Sequence, residues 1–206
     1  MNKLDVDVAI IGTGTAGMTA YRAAKAQGAR VVVIESGHYG TTCARVGCMP
    51  SKLLIAAAES AHAMRHSAPF GVHAGEVRID GRAVMERVRR ERDRFVGFVL
   101  EGIESFPPED KLRGHARFTG PHTLMVDGHT EINAARIVIA TGSTPLRLPA
   151  LANAGPGIVT SDEVFYWDDL PESVAVIGTG VIGLELGQAL HLSLIHISEP
   201  TRRRGI

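Results

Sequence analysis

An α/β fold built on a parallel sheet is what three features of the sequence predict. An apolar strand-like run opens into a glycine loop and a helix, a second apolar run follows that helix, and the same order recurs near residue 173. The first run, residues 6–12 (VDVAIIG), is β-rich and apolar enough for a strand buried on both faces. It leads into Gly12-Thr13-Gly14-Thr15-Ala16-Gly17 and then a helix-forming stretch, MTAYRAAKAQ, that stops at Gly28. RVVVIE forms the second strand, closing at Glu35, 18 positions after the third glycine.

Each part of that unit has a chemical use. Gly12 permits the tight turn, Gly14 lets a pyrophosphate approach bare backbone, and Gly17 lets the helix pack closely on the sheet. Gly12, Gly14, Ala16 and Gly17 therefore belong to an expected dinucleotide site, with the helix N-terminus facing the phosphates. Glu35 can accept from ribose hydroxyls, and Ser36 follows it at the same strand end. One glycine fingerprint is weak evidence. Strand, helix, strand and acid in register make it strong.

The middle of the chain reads in order. Residues 52–64 (KLLIAAAESAHAM) form a helix rich in Ala and Leu, and residues 82–103 form another, with Val84, Val88, Phe95 and Val99 on one side. Its arginines alternate with Glu86, Glu91 and Asp93, as on a solvated face laced with ion pairs rather than a nucleic-acid patch. PPED breaks that helix. GHARF, HTLMVDG and HTEINAARIVIATGS then suggest a small antiparallel excursion returning to a buried strand, which ends in Thr141-Gly142-Ser143.

From Ser173 the opening grammar repeats: an apolar strand, then Gly178-x-Gly180-x-x-Gly183, then a helix. Two fingerprints predict two dinucleotide sites. A second strand with its ribose selector is expected next, but none is legible after His191. LSLIHISEPTR resembles the translation of a sequencing adapter, so residues 192–206 are expected to be an artefactual tail and the chain the front part of a longer protein.

Composition narrows the function classes. The 22 Lys and Arg balance the 22 Asp and Glu, so total charge gives no pointer to nucleic acid or an anionic membrane. No apolar stretch is long enough for a membrane span, and no signal peptide is recognisable, so a cytoplasmic location is expected. In that compartment the only two cysteines, Cys43 and Cys48, are better suited to redox chemistry than to a structural staple. A metal site is not expected there, since two further ligands would have to come from elsewhere and no other Cys exists.

Two fingerprints with a Cys-x4-Cys between them resemble the flavoprotein disulfide reductases, among them dihydrolipoamide dehydrogenase, glutathione reductase and mercuric reductase. The resemblance covers residues 5–190 and is most specific over CARVGCMPSK, with the ATGS-x-P segment, GHARF, TSDEVF and GTGVIGLE also matching. It implies a Rossmann-like FAD-binding domain of the three-layer ββα type over residues 1–150, incomplete in this chain. A connection over 151–172 and the truncated start of a Rossmann-like NAD(P)-binding domain over 173–191 follow.

By the same resemblance FAD occupies the first fingerprint and NAD or NADP the second, and Cys43 and Cys48 form a redox disulfide between flavin and substrate. Cys43 resembles the interchange thiol and Cys48 the thiol lying against the flavin. Lys52 matches the lysine near the flavin, and Glu185 its ion-pair partner. Glu35 would hold the adenosine ribose, Thr42 would lie beside the cofactor, the backbone at Ala116 would approach the adenine, and Thr141 to Ser143 would pass near the pyrophosphate. The substrate would be a small-molecule or lipoyl-type disulfide or dithiol, with the parent protein a homodimer. The alternatives are a non-catalytic nucleotide-binding fragment, or a parent closer to mercuric reductase, glutathione reductase or a soluble transhydrogenase.

Two departures stand out: Thr41 occupies a position usually held by Gly, and Arg45 one usually held by Asn. In a regular helix, residues five apart have Cα atoms about 8.6 Å apart, beyond the ~7 Å reach of a disulfide. Cys43 and Cys48 can therefore pair only if the turn between them is distorted, and Gly47 makes that easier.

Overall fold

The apolar run at the N-terminus forms β1 (Asn2–Ile11), a longer strand than its apolar core implies. The computed structural model describes residues 1–151, 153–193 and 196–198. Within them the chain folds into two compact units, one from Met1–Arg45 and Phe95–Thr144 and the other from Val46–Arg94 and the described residues after Thr144.

In the first unit β1 leads through the glycine loop to α1 (Thr15–Ala26) and back to β2 (Val31–Glu35). The helix stops because Gly28 adopts φ +73°, which a residue with a Cβ rarely enters. β1 and β2 pair in parallel, Val8 opposite Val31 through Ile11 opposite Ile34. β3 (Lys111–Arg113) adds to the free side of β2, also in parallel. β4 (Ala116–Gly120), β5 (Thr123–Val126) and β6 (Thr130–Ile139) form the expected antiparallel excursion, and β6 returns alongside β1 in parallel. The strand order is β3-β2-β1-β6-β5-β4.

Two apolar layers cover the faces of this sheet. On one side Val6, Ala9, Val32 and Ile34 pack against Leu124, Val126 and Ile132 of the excursion. On the other, Ile10, Val31 and Val33 pack against Met18 and Tyr21 of α1 and against Ile103 and Phe106. The excursion strands, the central strands and α1 therefore stack as three layers of the ββα type. Alternation along β2 explains this, with Val31 and Val33 facing one layer and Val32 and Ile34 the other.

Two further helices are α2 (Thr42–Val46) and α4 (Gly81–Glu104). In the second unit α3 (Cys48–Arg65) packs on α5 (Val181–Ser193), with Leu54, Ala58, Met85, Val88, Phe165, Leu186, Ala189 and Leu190 as the core. The second fingerprint is preceded by β7 (Ser173–Ala175), shorter than its apolar run predicts. The expectation that no strand follows the last helix is corrected. β8 (His196–Ser198) pairs in parallel with β7, and backbone hydrogen bonding needs no side-chain pattern to do so. Residues 194–195 and 199–206 of the expected tail lie outside the described residues.

The arginine face of α4 also differs from expectation. Arg92 is only 6% exposed, donates to the carbonyl of Phe165 at 2.9 Å and lies over the Tyr166 ring. Arg89 donates to the carbonyl of Trp167, and Arg82 pairs with Asp169. These arginines hold the 165–169 segment rather than only facing water.

Candidate functional site

The carboxyl ends of β1, β2 and β6 meet where an open parallel sheet receives a nucleotide. Gly12, at the end of β1, has φ +107°, and a Cβ there would run into the carbonyl oxygen of Ala140. Gly17 sits so close that a Cβ would strike the carbonyl oxygen of Gly12. Above Gly14, by contrast, an added Cβ would meet nothing. The backbone is thus pinned at the first and third glycines and bare at the second. Gly14 is the N-cap of α1 and offers no side-chain cap, and the helix's first turn carries no acidic residue, so its N–H groups remain suited to an anion. Ala16 is exposed in that turn. These features fit the pyrophosphate of a dinucleotide such as FAD.

Glu35, at the end of β2, faces the same loop. Its Oε2 accepts from the Thr13 N–H at 2.9 Å and the Thr13 hydroxyl at 2.8 Å, and its Oε1 accepts from the Gly37 N–H at 2.8 Å. Burial pushes this carboxyl up, but the donors on Gly37 and Thr13, with the charge of Arg113, outweigh it and hold the group below the usual carboxylate range. A charged acceptor at this strand end fits ribose hydroxyls. Ser36 is exposed beside it.

Two later segments reach the same end of the sheet. The Gly114 N–H donates to the carbonyl of Glu35 at 3.0 Å, so Ala116 follows two residues on from the end of β2. The Ala140 N–H donates to the carbonyl of Ile11 at 2.8 Å, so Thr141, Gly142 and Ser143 emerge beside Gly12, all exposed. Thr13 and Gly37 are the contributors that sequence reasoning passed over. The signal for Thr13 was a hydroxyl inside a fingerprint where only small side chains are needed.

The cysteines sit on two short-range elements. Cys43 lies on α2, half-buried, and Cys48 is the exposed first residue of α3, both as thiols. Between them the helix is broken at Gly47, whose φ −126° and ψ −125° are not helical. The Thr41 hydroxyl accepts from the Ala44 N–H at 3.0 Å and so caps the turn that carries Cys43. Thr42, first in that helix, is exposed. Arg45 donates to the carbonyl of Tyr39 at 2.8 Å. Both departures from the expected pattern therefore have structural work, one capping and one tying the loop.

In the second unit Lys52 and Glu185, 133 residues apart, form an ion pair. The second fingerprint repeats the backbone of the first. Gly178 has φ +112°, a Cβ at Gly183 would strike the Gly178 carbonyl oxygen, and the space above Gly180 is open. Among the described residues no group of three or more His, Cys, Asp or Glu is placed to hold a metal ion, and no helix is long and apolar enough to cross a membrane.

The chain is 33% identical over 202 residues to the dihydrolipoyl dehydrogenase of Bacillus subtilis, covering 91% of this chain and 42% of that protein. It is 39% identical over 189 residues to the mercuric reductase of Shigella flexneri, covering 88% and 33%. Among solved structures, the HOCl-induced flavoprotein disulfide reductase RclA from Escherichia coli superposes with a TM-score of 0.75 at 27% identity, over 94% of this chain and 41% of that one. The chain thus spans less than half the length of these relatives. With residues 6–198 matching the family model, the chain belongs to the pyridine nucleotide-disulphide oxidoreductase family.

Proposed function

We propose that this chain is the first part of an FAD-dependent oxidoreductase that moves two electrons between NAD or NADP and a small-molecule or lipoyl-type disulfide, in the manner of a dihydrolipoyl dehydrogenase. Residues 1–150 would form the first part of the FAD domain, 151–172 the connection, and 173–191 the opening of the NAD(P) domain. The whole protein would act as a cytoplasmic homodimer. The observation that carries this reading is the matched backbone of the two fingerprints, Gly12 with Gly17 and Gly178 with Gly183, on either side of a cysteine pair. A single nucleotide-binding module needs only one such loop.

When bound, FAD supplies the two-electron carrier between nicotinamide and thiols. This chain's residues do the rest. The bare backbone at Gly14 and the N-terminus of α1 hold the pyrophosphate, and Glu35 accepts from the ribose. Ala116 and Thr141 to Ser143 flank the adenine and pyrophosphate. At the second loop Gly180 and α5 hold the nicotinamide dinucleotide. Lys52, its ammonium fixed by Glu185, keeps a positive charge at the head of α3.

For disulfide reduction, the Cys43 thiolate attacks one sulfur of the substrate, forming a mixed disulfide and releasing one thiol. The Cys48 thiolate then attacks the Cys43 sulfur, releasing the second thiol and closing the internal bridge. Two electrons pass from the pair to the substrate. With FAD and NAD(P)H bound, two electrons and two protons would restore the dithiol at Cys43 and Cys48.

Anaerobic dithionite titration of the FAD-loaded chain tests this reading. A working pair adds about two electrons to the flavin's two, and Cys43→Ser or Cys48→Ser should remove that addition. Uptake of only two by the unaltered chain would overturn the assignment.

A further inference from the structure

Resting on the reading of Glu35 as the ribose acceptor, we infer that Thr13 restricts this carboxylate to a single ribose hydroxyl, and so makes the site read one of the two vicinal hydroxyls of the adenosine and ignore the other. A carboxylate offers about four acceptor positions, two on each oxygen. The chain itself fills three. Both positions on Oε2 are taken by the N–H and the hydroxyl of Thr13, and one on Oε1 is taken by the Gly37 N–H. One remains, on Oε1.

The Thr13 hydroxyl cannot readily turn away to free a second position. Thr13 is 1% exposed, so no water replaces the bond. Its oxygen also accepts from the Gly40 N–H at 3.4 Å, which fills a lone pair and leaves the proton directed to Glu35. Alanine or glycine at this position would keep the backbone donor and release one place on Oε2, letting both ribose hydroxyls donate. Thr13 is thus a positioning residue acting through Glu35, and the class it selects is an adenosine dinucleotide recognised through one hydroxyl.

The experiment compares the full chain and its Thr13→Ala, Thr13→Ser and Glu35→Gln variants. The probes are FAD, its 2′-deoxyadenosine form and its 3′-deoxyadenosine form, with dissociation constants read from flavin fluorescence. The unaltered chain and Thr13→Ser should lose about tenfold or more in affinity for one deoxy form and hold the other within about twofold of FAD. Thr13→Ala should lose affinity for both deoxy forms relative to FAD. If the unaltered chain is weakened by both, or Thr13→Ala keeps its one-sided pattern, the inference is wrong while the Glu35 reading stands.

FAD binding unchanged in Glu35→Gln overturns the ribose reading and this inference with it. A ligand-free check uses the carbon-13 signal of the Glu35 carboxyl across pH, where Arg113 on the neighbouring strand faces the group in every variant. Its midpoint should rise in Thr13→Ala and stay in Thr13→Ser. A midpoint unmoved in Thr13→Ala overturns the inference whether or not the chain holds FAD.

Discussion

Glu35 shows how a single side chain serves two purposes. Three internal donors hold its charge in place before any ligand arrives, and that fixing has a pH consequence. Its folded value lies below the ordinary carboxylate value of about 4.3. The stability it contributes is therefore present above that value and lost as pH falls through the folded one. Thermal melts between about pH 6 and 3 should fall more steeply for the unaltered chain than for Glu35→Gln. Parallel curves would mean that the donors do not favour the charged form. Lys52 and Glu185 stand in contrast. Their pair has an exposed lysine, so Lys52→Ala should shift stability by less than about 1 kcal/mol. A larger loss in urea unfolding would show a structural rather than a chemical role.

The strand–glycine–helix unit is the element through which the sequence speaks most clearly, because each glycine answers a separate steric demand. Gly17→Ala would press a methyl into the Gly12 carbonyl, and the helix would have to lift from the sheet. A cost of about 1–3 kcal/mol or more is expected in chemical unfolding. Gly14→Ala meets open space and should fold nearly as well, while weakening FAD binding in fluorescence titration. Equal effects of the two substitutions on stability would contradict the division of labour. Gly183→Ala and Gly180→Ala should repeat the contrast in the second unit. The α2–α3 break carries a related lesson. A bridge across Cys-x4-Cys requires a break in the helix between the cysteines, and Gly47 supplies one.

Across the whole molecule each unit has its own apolar core, so stability can be probed separately. Leu124→Ala, in the layer over the sheet, and Leu54→Ala, between α3 and α5, should each cost about 2–5 kcal/mol, since both side chains are fully buried. Denaturant unfolding of the two variants measures this, and a loss below about 1 kcal/mol in either would contradict the packing described. The sequence by itself determined the fold class, the two fingerprints, the acid at the end of β2 and the antiparallel excursion. Those features rest on local periodicity and on glycines that few other residues can replace. Only the tertiary structure decided the rest. β3 is three residues long, too short for any period, and exists because the edge of β2 offers partners. Arg92 is one arginine among many in sequence, and the carbonyl of Phe165, 73 residues away, makes it a buried one. Lys52 and Glu185 meet only because α3 packs on α5. Thr13 looks like spacing between glycines until β2 brings Glu35 beside it, for a hydrogen bond between distant positions leaves no trace in either one's neighbourhood.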